Sequence, residues 1–222
     1  MNIAAVEKFM EGRTPGSIGL RKDCAVLIPL VERKDGMHFL FEQRSSRLKT
    51  QPGDVCFPGG RMEPGETVTA CALRETEEEI GIPADKIRVI GRFDSMYEIS
   101  NITMNTVIGV VKEEDLDELH LNPEEVETVF TVPYRFFKET EPFIYEYDIV
   151  QKVEDFPYEK VGIRPDYRWR VGKAVTPVFH YGEGTQRQII WGLTARIVTW
   201  LIEKLEEGMT EDTDHEETDC RK

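Results

Sequence analysis

The sequence predicts an α/β protein with a mixed sheet held between helices, and three observations predict it. Strand-length apolar runs stand on both sides of one central helix-forming stretch that starts at Glu66-Thr67. A second helical periodicity, longer and amphipathic, comes near the end of the chain. Turn and cap residues punctuate these segments, with no internal repeat and no linker between them.

The elements follow in order. Residues 2–11 carry Ile3, Val6, Phe9 and Met10 at amphipathic helical spacing, stopped by Gly12 and Pro15. Ala25 to Val31 is an apolar run suited to a buried strand, and Asp35-Gly36 is a hairpin turn that returns the chain as a strand from Met37 to Gln43. The central helix then runs to Gly81, which reads as its C-cap. Strands follow at Ile87–Tyr97 and Ile102–Val111, then an acidic loop with Pro123 and a short strand from Val126 to Val132. Tyr134 to Lys138 makes one helical turn, Phe143 to Val150 alternates as a strand, and 154–170 carries no clear period. Val175 to Tyr181 is a further strand. After the Gly-Glu-Gly turn, a long helix is expected from near Arg187 to Gly208, with Ile190, Leu193, Ile197, Trp200, Leu201 and Leu205 on its apolar face. Trp191 and Trp200 are read as core residues, and the four histidines are assigned nothing.

At 222 residues the chain suits one domain with trimmings: a lead-in over 1–22, the main domain over 23–207, and an acidic disordered tail over 208–222. From Glu206 to Lys222 eight acids meet two bases, part of a net charge of −14 that disfavours nucleic acid or an anionic membrane as partner. Cys24, Cys56, Cys71 and Cys220 show neither disulfide nor zinc spacing, and neither a membrane-length apolar run nor a signal-peptide order is present, so the expected compartment is the cytoplasm. The sequence leaves a homodimer open.

The chemistry is concentrated in residues 59–82, GGRMEPGETVTACALRETEEEIGI. On a helix, Glu75, Glu78 and Glu79 at i, i+3 and i+4 share an arc of about 100°. Three carboxylates on one arc repel each other, and a helix chosen for stability alone would avoid them. Hard divalent cations offset that repulsion with oxygen ligands. The competing reading of such an acid-rich helix end is a salt-bridged surface face. Glu77 points to the other side.

The spacing identifies the stretch further. Five residues separate Gly60 from Glu66, seven more separate Glu66 from Arg74-Glu75, and Glu78, Glu79, Gly81 and Ile82 complete the order. This resembles the signature box of the Nudix hydrolases, with one departure at Thr76, where the pattern prefers an aliphatic residue. Upstream, Arg44, Leu48, Lys49, Gly53, Val55 and Phe57-Pro58-Gly59-Gly60 resemble the extended signature of that family's coenzyme A pyrophosphatase branch. The departures there are Glu42 in place of Thr, Lys49 in place of Arg, and Glu63 and Glu66 in place of aspartates. Ile190 to Ala195 is similar to that branch's last helix.

The resemblance implies an α/β/α sandwich and Mg²⁺- or Mn²⁺-dependent hydrolysis of a diphosphate. It implies that Glu79 is the principal metal ligand, Glu78 a second and the Gly59 carbonyl a third. Glu75 is a further ligand or the general base, Arg74 orients the carboxylates, and Glu66 is structural. Glu125 completes the metal site, ahead of Glu98 and Glu124. Arg44, Arg47 and Lys49 would meet substrate phosphates, since an arginine fork matches phosphate geometry; by themselves they also read as ordinary surface bases. The implied substrate is coenzyme A or an acyl-coenzyme A. The alternatives are another nucleoside diphosphate derivative, such as ADP-ribose or a dinucleotide, and a non-catalytic nucleotide-sensing domain.

Overall fold

A computed structural model describes residues 2–13, 22–98 and 101–219, with 209–219 as backbone; Pro15 and Cys220 lie outside the described residues. A short helix, α1 (Ile3–Met10), is capped by the Asn2 side chain, and its large apolar residues Ile3, Val6, Phe9 and Met10 are all exposed. The chain then enters β1 (Lys22–Arg33) and turns back into β2 (Gly36–Arg44), antiparallel, with Arg33 opposite Gly36. Two short strands follow, β3 (Val55–Cys56) on β2 and β4 (Gly59–Arg61) on β1. Their shortness, and the two glycines of β4, hide them from a strand reading.

The central helix is α2 (Val68–Ile80). It leads through a 3₁₀ turn to β5 (Arg88–Tyr97), which pairs antiparallel with β6 (Ile102–Val111). β6 returns parallel to β1 in an unbroken ladder from Lys22↔Ile102 to Val31↔Val111, and β7 (Val126–Pro133) closes on the other edge of β2. The main sheet has seven strands in the order β3–β2–β1–β6–β5, with β4 on β1 and β7 on β2. One parallel pair among antiparallel ones makes it mixed, as expected.

Strand alternation builds the layers. Ala25, Leu27 and Val31 of β1 and Leu40 of β2 point to one face, where they bury Cys71, Ala72 and Ile80 of α2. Val26, Ile28, Phe39 and Phe41 point to the other. There they meet Phe137 of α3 (Tyr134–Glu139) and Ala195, Val198 and Leu201 of the terminal helix. Helix, sheet, helix is the α/β/α sandwich.

Residues 143–191 depart from a single sheet. β8 (Phe143–Val150), β9 (Val171–Tyr181) and β10 (Gln188–Trp191) form a separate three-stranded antiparallel sheet, with a four-residue helix α4 (Tyr158–Val161) in the connection. The long helix α5 (Gly192–Asp219) therefore starts at Gly192, not near Arg187. Gln188–Trp191 is held extended by pairing with β9, and Gly192 at φ 63° makes the turn into the helix. Ile190 keeps helical spacing to Leu193 but belongs to the strand. The α5 backbone passes Gly208 and continues to Asp219. One glycine costs a helix only about 1 kcal/mol and does not by itself end it. Neither tryptophan is core: Trp191 is 46% and Trp200 44% exposed. Trp200 donates from Nε1 to Asp94 Oδ2 at 2.7 Å. Among the described residues no helix is long and apolar enough to cross a membrane.

Candidate active site

Helix α2 begins where Thr67 Oγ1 accepts from Ala70 N at 3.2 Å and ends at Gly81, which adopts φ 77° and donates to the Glu77 carbonyl. Its buried residues are Cys71, Ala72, Thr76, Glu79 and Ile80. Thr76 is tolerated there because its hydroxyl donates to the Ala72 carbonyl at 2.7 Å. Glu79 is different. It is a carboxylate on the core-facing side of the helix, 5% exposed.

Arg74 organises the exposed side of the helix. It grips Glu66 with two bonds, Nε to Oε1 at 2.9 Å and Nη2 to Oε2 at 3.1 Å. Its Nη1 reaches Glu75 at 2.8 Å and Glu78 at 3.0 Å. That fork, helped by the Glu63 amide, holds the Glu66 carboxyl down at about 2. Glu77 is exposed and belongs to none of these pairs.

The Gly59-Gly60 turn lies against the same helix. Gly59 donates its amide to Glu79 Oε2 at 2.8 Å. It has φ 153°, and a Cβ there would come within 2.3 Å of the Ala25 carbonyl. A Cβ on Gly60 would lie 2.4 Å from the Glu75 carboxyl. Glycine at 59 lets the turn pack directly on β1, and glycine at 60 leaves room for the Glu75 carboxyl.

Glu42 is the residue that the sequence reading passed over as a mere departure. It is 1% exposed, on the same face of β2 as Leu40, and so faces α2. Its Oε1 accepts from the Cys56 thiol at 3.3 Å, and its Oε2 has no partner. Burial pushes the carboxyl of Glu42 up to about 7, with Glu125 and Glu75 raising it further, and that of Glu79 up to about 9, with Glu42, Glu75 and Glu125 raising it further. Burial raises Glu75 as well. A lone acid near the polar end of an apolar strand also fits a solvated position, so nothing in the sequence marks it.

The other predicted residues separate. The loop 120–126 is tied to the end of α2 by Asn122 N to the Glu79 carbonyl at 2.9 Å and to the β2 exit by Ser45 N to the Glu125 carbonyl at 2.8 Å. Glu125 is thereby brought close enough to raise Glu42, Glu75 and Glu79. Glu124 instead pairs with Arg47 at 3.0 Å, and Glu98 pairs with Arg196 of α5. Arg44 lines a cleft of about 540 Å³ together with Cys56, Gly59, Gly60, Arg61 and Trp191. Trp191 is fixed there by its Nε1 donating to Asp54 Oδ1 at 3.4 Å, a placement no helical pattern announces. Lys49 is exposed and does not line the cleft.

Among the described residues no three His, Cys, Asp or Glu side chains already converge at ligating distance. The donor set nevertheless fits a hard divalent cation. Mg²⁺ takes only one or two carboxylates and fills its octahedron with water and phosphate. No cation stands among the groups that act most strongly on Glu79, Arg44 is the one cation among those acting on Glu42, and one buried oxygen of Glu42 has no hydrogen-bond partner.

The class of protein defined here is an α/β/α sandwich with an acid-bearing central helix closed on a glycine turn. The family model of the NUDIX domain matches residues 21–147, more than half of the sequence, and the chain belongs to the Nudix family. It is 37% identical over 134 residues to Nudix hydrolase 3 of Caenorhabditis elegans, covering 60% of this chain and 56% of that protein. It is 34% identical over 133 residues to the peroxisomal coenzyme A diphosphatase NUDT7 of Mus musculus, covering 60% and 55%. The chain thus spans little more than half the length of these two relatives. With the uncharacterized Nudix hydrolase NudL of Yersinia enterocolitica it shares 30% identity over 193 residues, 86% of each chain.

Proposed function

We propose that this Nudix hydrolase cleaves the diphosphate of coenzyme A or an acyl-coenzyme A, giving 3′,5′-ADP and 4′-phosphopantetheine or its acyl form. One observation carries the substrate: Arg44, Val55, Phe57, Gly59 and Gly60, from the run that resembles the coenzyme A branch, line a single cleft with Arg61. The similarity to a named coenzyme A diphosphatase supports it.

In this reading Glu79, Glu78 and the Gly59 carbonyl hold the Mg²⁺ or Mn²⁺, with Glu125 from the loop. An ion held there would neutralise the diphosphate oxygens and acidify the attacking water. Arg74 keeps Glu75 and Glu78 in place. Water attacks one phosphorus, the bridging P–O bond breaks, and in this reading Glu75 takes the proton. Arg44 meets substrate phosphate; Arg47, already paired with Glu124, and Lys49, at the surface, contribute less. A mainly apolar cavity of about 550 Å³, lined by Phe93, Met96, Ile144, Pro177 and Trp200, shares Arg196 and Ile197 with the cleft and would take the acyl end.

A substrate panel with product identification tests this. A charge-assisted contact is worth about 1.5–3 kcal/mol, so coenzyme A should exceed dephospho-coenzyme A by at least about tenfold in kcat/KM, and Arg44→Ala should narrow the gap. Each buried methylene adds about 0.8 kcal/mol, so a chain placing two or more in the cavity gains about tenfold over free coenzyme A, a gain that Ile144→Glu should remove. Faster cleavage of ADP-ribose than of coenzyme A would sink the substrate assignment and leave the family untouched.

A further inference from the structure

The Glu42 carboxylate lies outside the Nudix box and has no part in the reaction proposed for it. The signature that this stretch resembles has threonine there. Side-chain alternation along β2 sends Glu42 to the α2 face, where Glu79 enters the core, and Glu42 is the charged group that Glu79 feels most strongly. The other charges around Glu42 are Arg44, Glu125 and Glu75.

Its two oxygens are unequal. Oε1 has the Cys56 thiol, a weak donor, at 3.3 Å. Oε2 is sealed from water with no donor. Arg44 is the only cation among its strong electrostatic neighbours, yet makes no hydrogen bond to it: Nη2 goes to the Thr50 carbonyl, and the buried Nε is itself unpartnered. A buried, unpaired carboxylate oxygen facing other carboxylates is satisfied either by a proton or by a cation, and a cation removes the repulsion within the whole cluster.

We propose that Glu42 is a further ligand of the divalent cation, supplied by β2 from the side opposite the box carboxylates. This rests on the cation site described above, with Glu79 as its principal ligand. The ion would then sit between a strand carboxylate and a helix carboxylate, tying β2 to α2 through their polar ends.

The test is Mn²⁺ binding to the full chain without substrate, followed by calorimetry and by the Mn²⁺ paramagnetic resonance signal, for the wild type and for Glu42→Gln, Glu42→Thr and Glu79→Gln. Loss of a ligand or of its immediate partner typically weakens metal binding about ten- to a hundredfold, and that loss is expected for both Glu42 variants. Their metal-free forms should melt no lower than wild type, because each removes a buried charge. Glu77→Gln, which leaves every buried carboxylate in place, should bind Mn²⁺ as wild type does. If either folded Glu42 variant binds Mn²⁺ as tightly as wild type while Glu79→Gln is weakened, the inference is overturned and the cation site stands. If Glu79→Gln also binds unchanged, the cation site itself is wrong. Threonine provides a second folded variant should glutamine disturb β2.

Discussion

Glu79→Gln is expected to lose about three orders of magnitude in turnover while gaining stability in the metal-free state. The two effects have one cause. Glu79 is 5% exposed and its charge is opposed by burial and by Glu42. Glutamine keeps the shape and can still accept the Gly59 amide bond that spans 2.8 Å in the native protein. It cannot supply the negative charge that holds the ion. A contribution of about 4 kcal/mol to the transition state corresponds to about a thousandfold in rate. Glu77→Gln, two residues away on the exposed side, should change turnover less than twofold and stability by less than about 0.5 kcal/mol. Steady-state kinetics and urea unfolding of the three proteins read both effects. Equal losses at 77 and 79 would contradict the placement of the site on the buried face.

The metal-free protein should also lose stability as pH rises, the reverse of ordinary carboxylate behaviour. Glu42 at about 7 and Glu79 at about 9 both lie above the ordinary 4.5. Each binds its proton more tightly folded than unfolded. Their contribution is fully present below the unfolded value and is lost as pH climbs through the folded values. Glu66, held at about 2 by Arg74, acts in the opposite sense, and its contribution is lost only as pH falls toward that value. Between about pH 5 and pH 9 the two buried acids together should remove at least about 3 kcal/mol, since every tenfold gain in proton affinity on folding is worth about 1.4 kcal/mol. Saturating Mg²⁺ should restore most of it at the alkaline end. Urea unfolding across that range, with chelator and with Mg²⁺, gives the answer; a flat profile in chelator would show that the two carboxylates are compensated by a group within the protein.

The box helix could be read before any coordinates because glycines, acids and arginine sit at distances that a helix and two turns dictate. Thr67 caps it and Gly81 ends it as the pattern requires. The layers were legible too, since β1 and β2 alternate toward two faces. Glu42 was not. A single acid in a strand reads as a solvated face, and only the packing of α2 above it shows that the face is buried. The start of α5 was misplaced for a similar reason: Ile190 fits a helical period, but β9 was free to capture Gln188–Trp191 as a strand. Arg47 and Lys49 looked equivalent to Arg44, and only the path of the loop after β2 sends Arg44 alone to the cleft.

The parallel ladder between β1 and β6 has a kinetic side. Its partners, from Lys22↔Ile102 to Val31↔Val111, are eighty positions apart in the chain, with α2 and the glycine turn in between. Such pairing closes a long loop before any contact repays it and folds slowly for its size. During synthesis, β1, β2 and the box helix leave the ribosome without the strand that covers the inner edge of β1. The carboxylates of α2 cannot reach their buried positions until β6 docks. Refolding experiments should therefore find cation binding arriving with the slowest phase, after most of the helical signal has formed. Conditions that delay this step, such as a shortage of divalent metal, would leave an exposed apolar edge on β1, where aggregation begins.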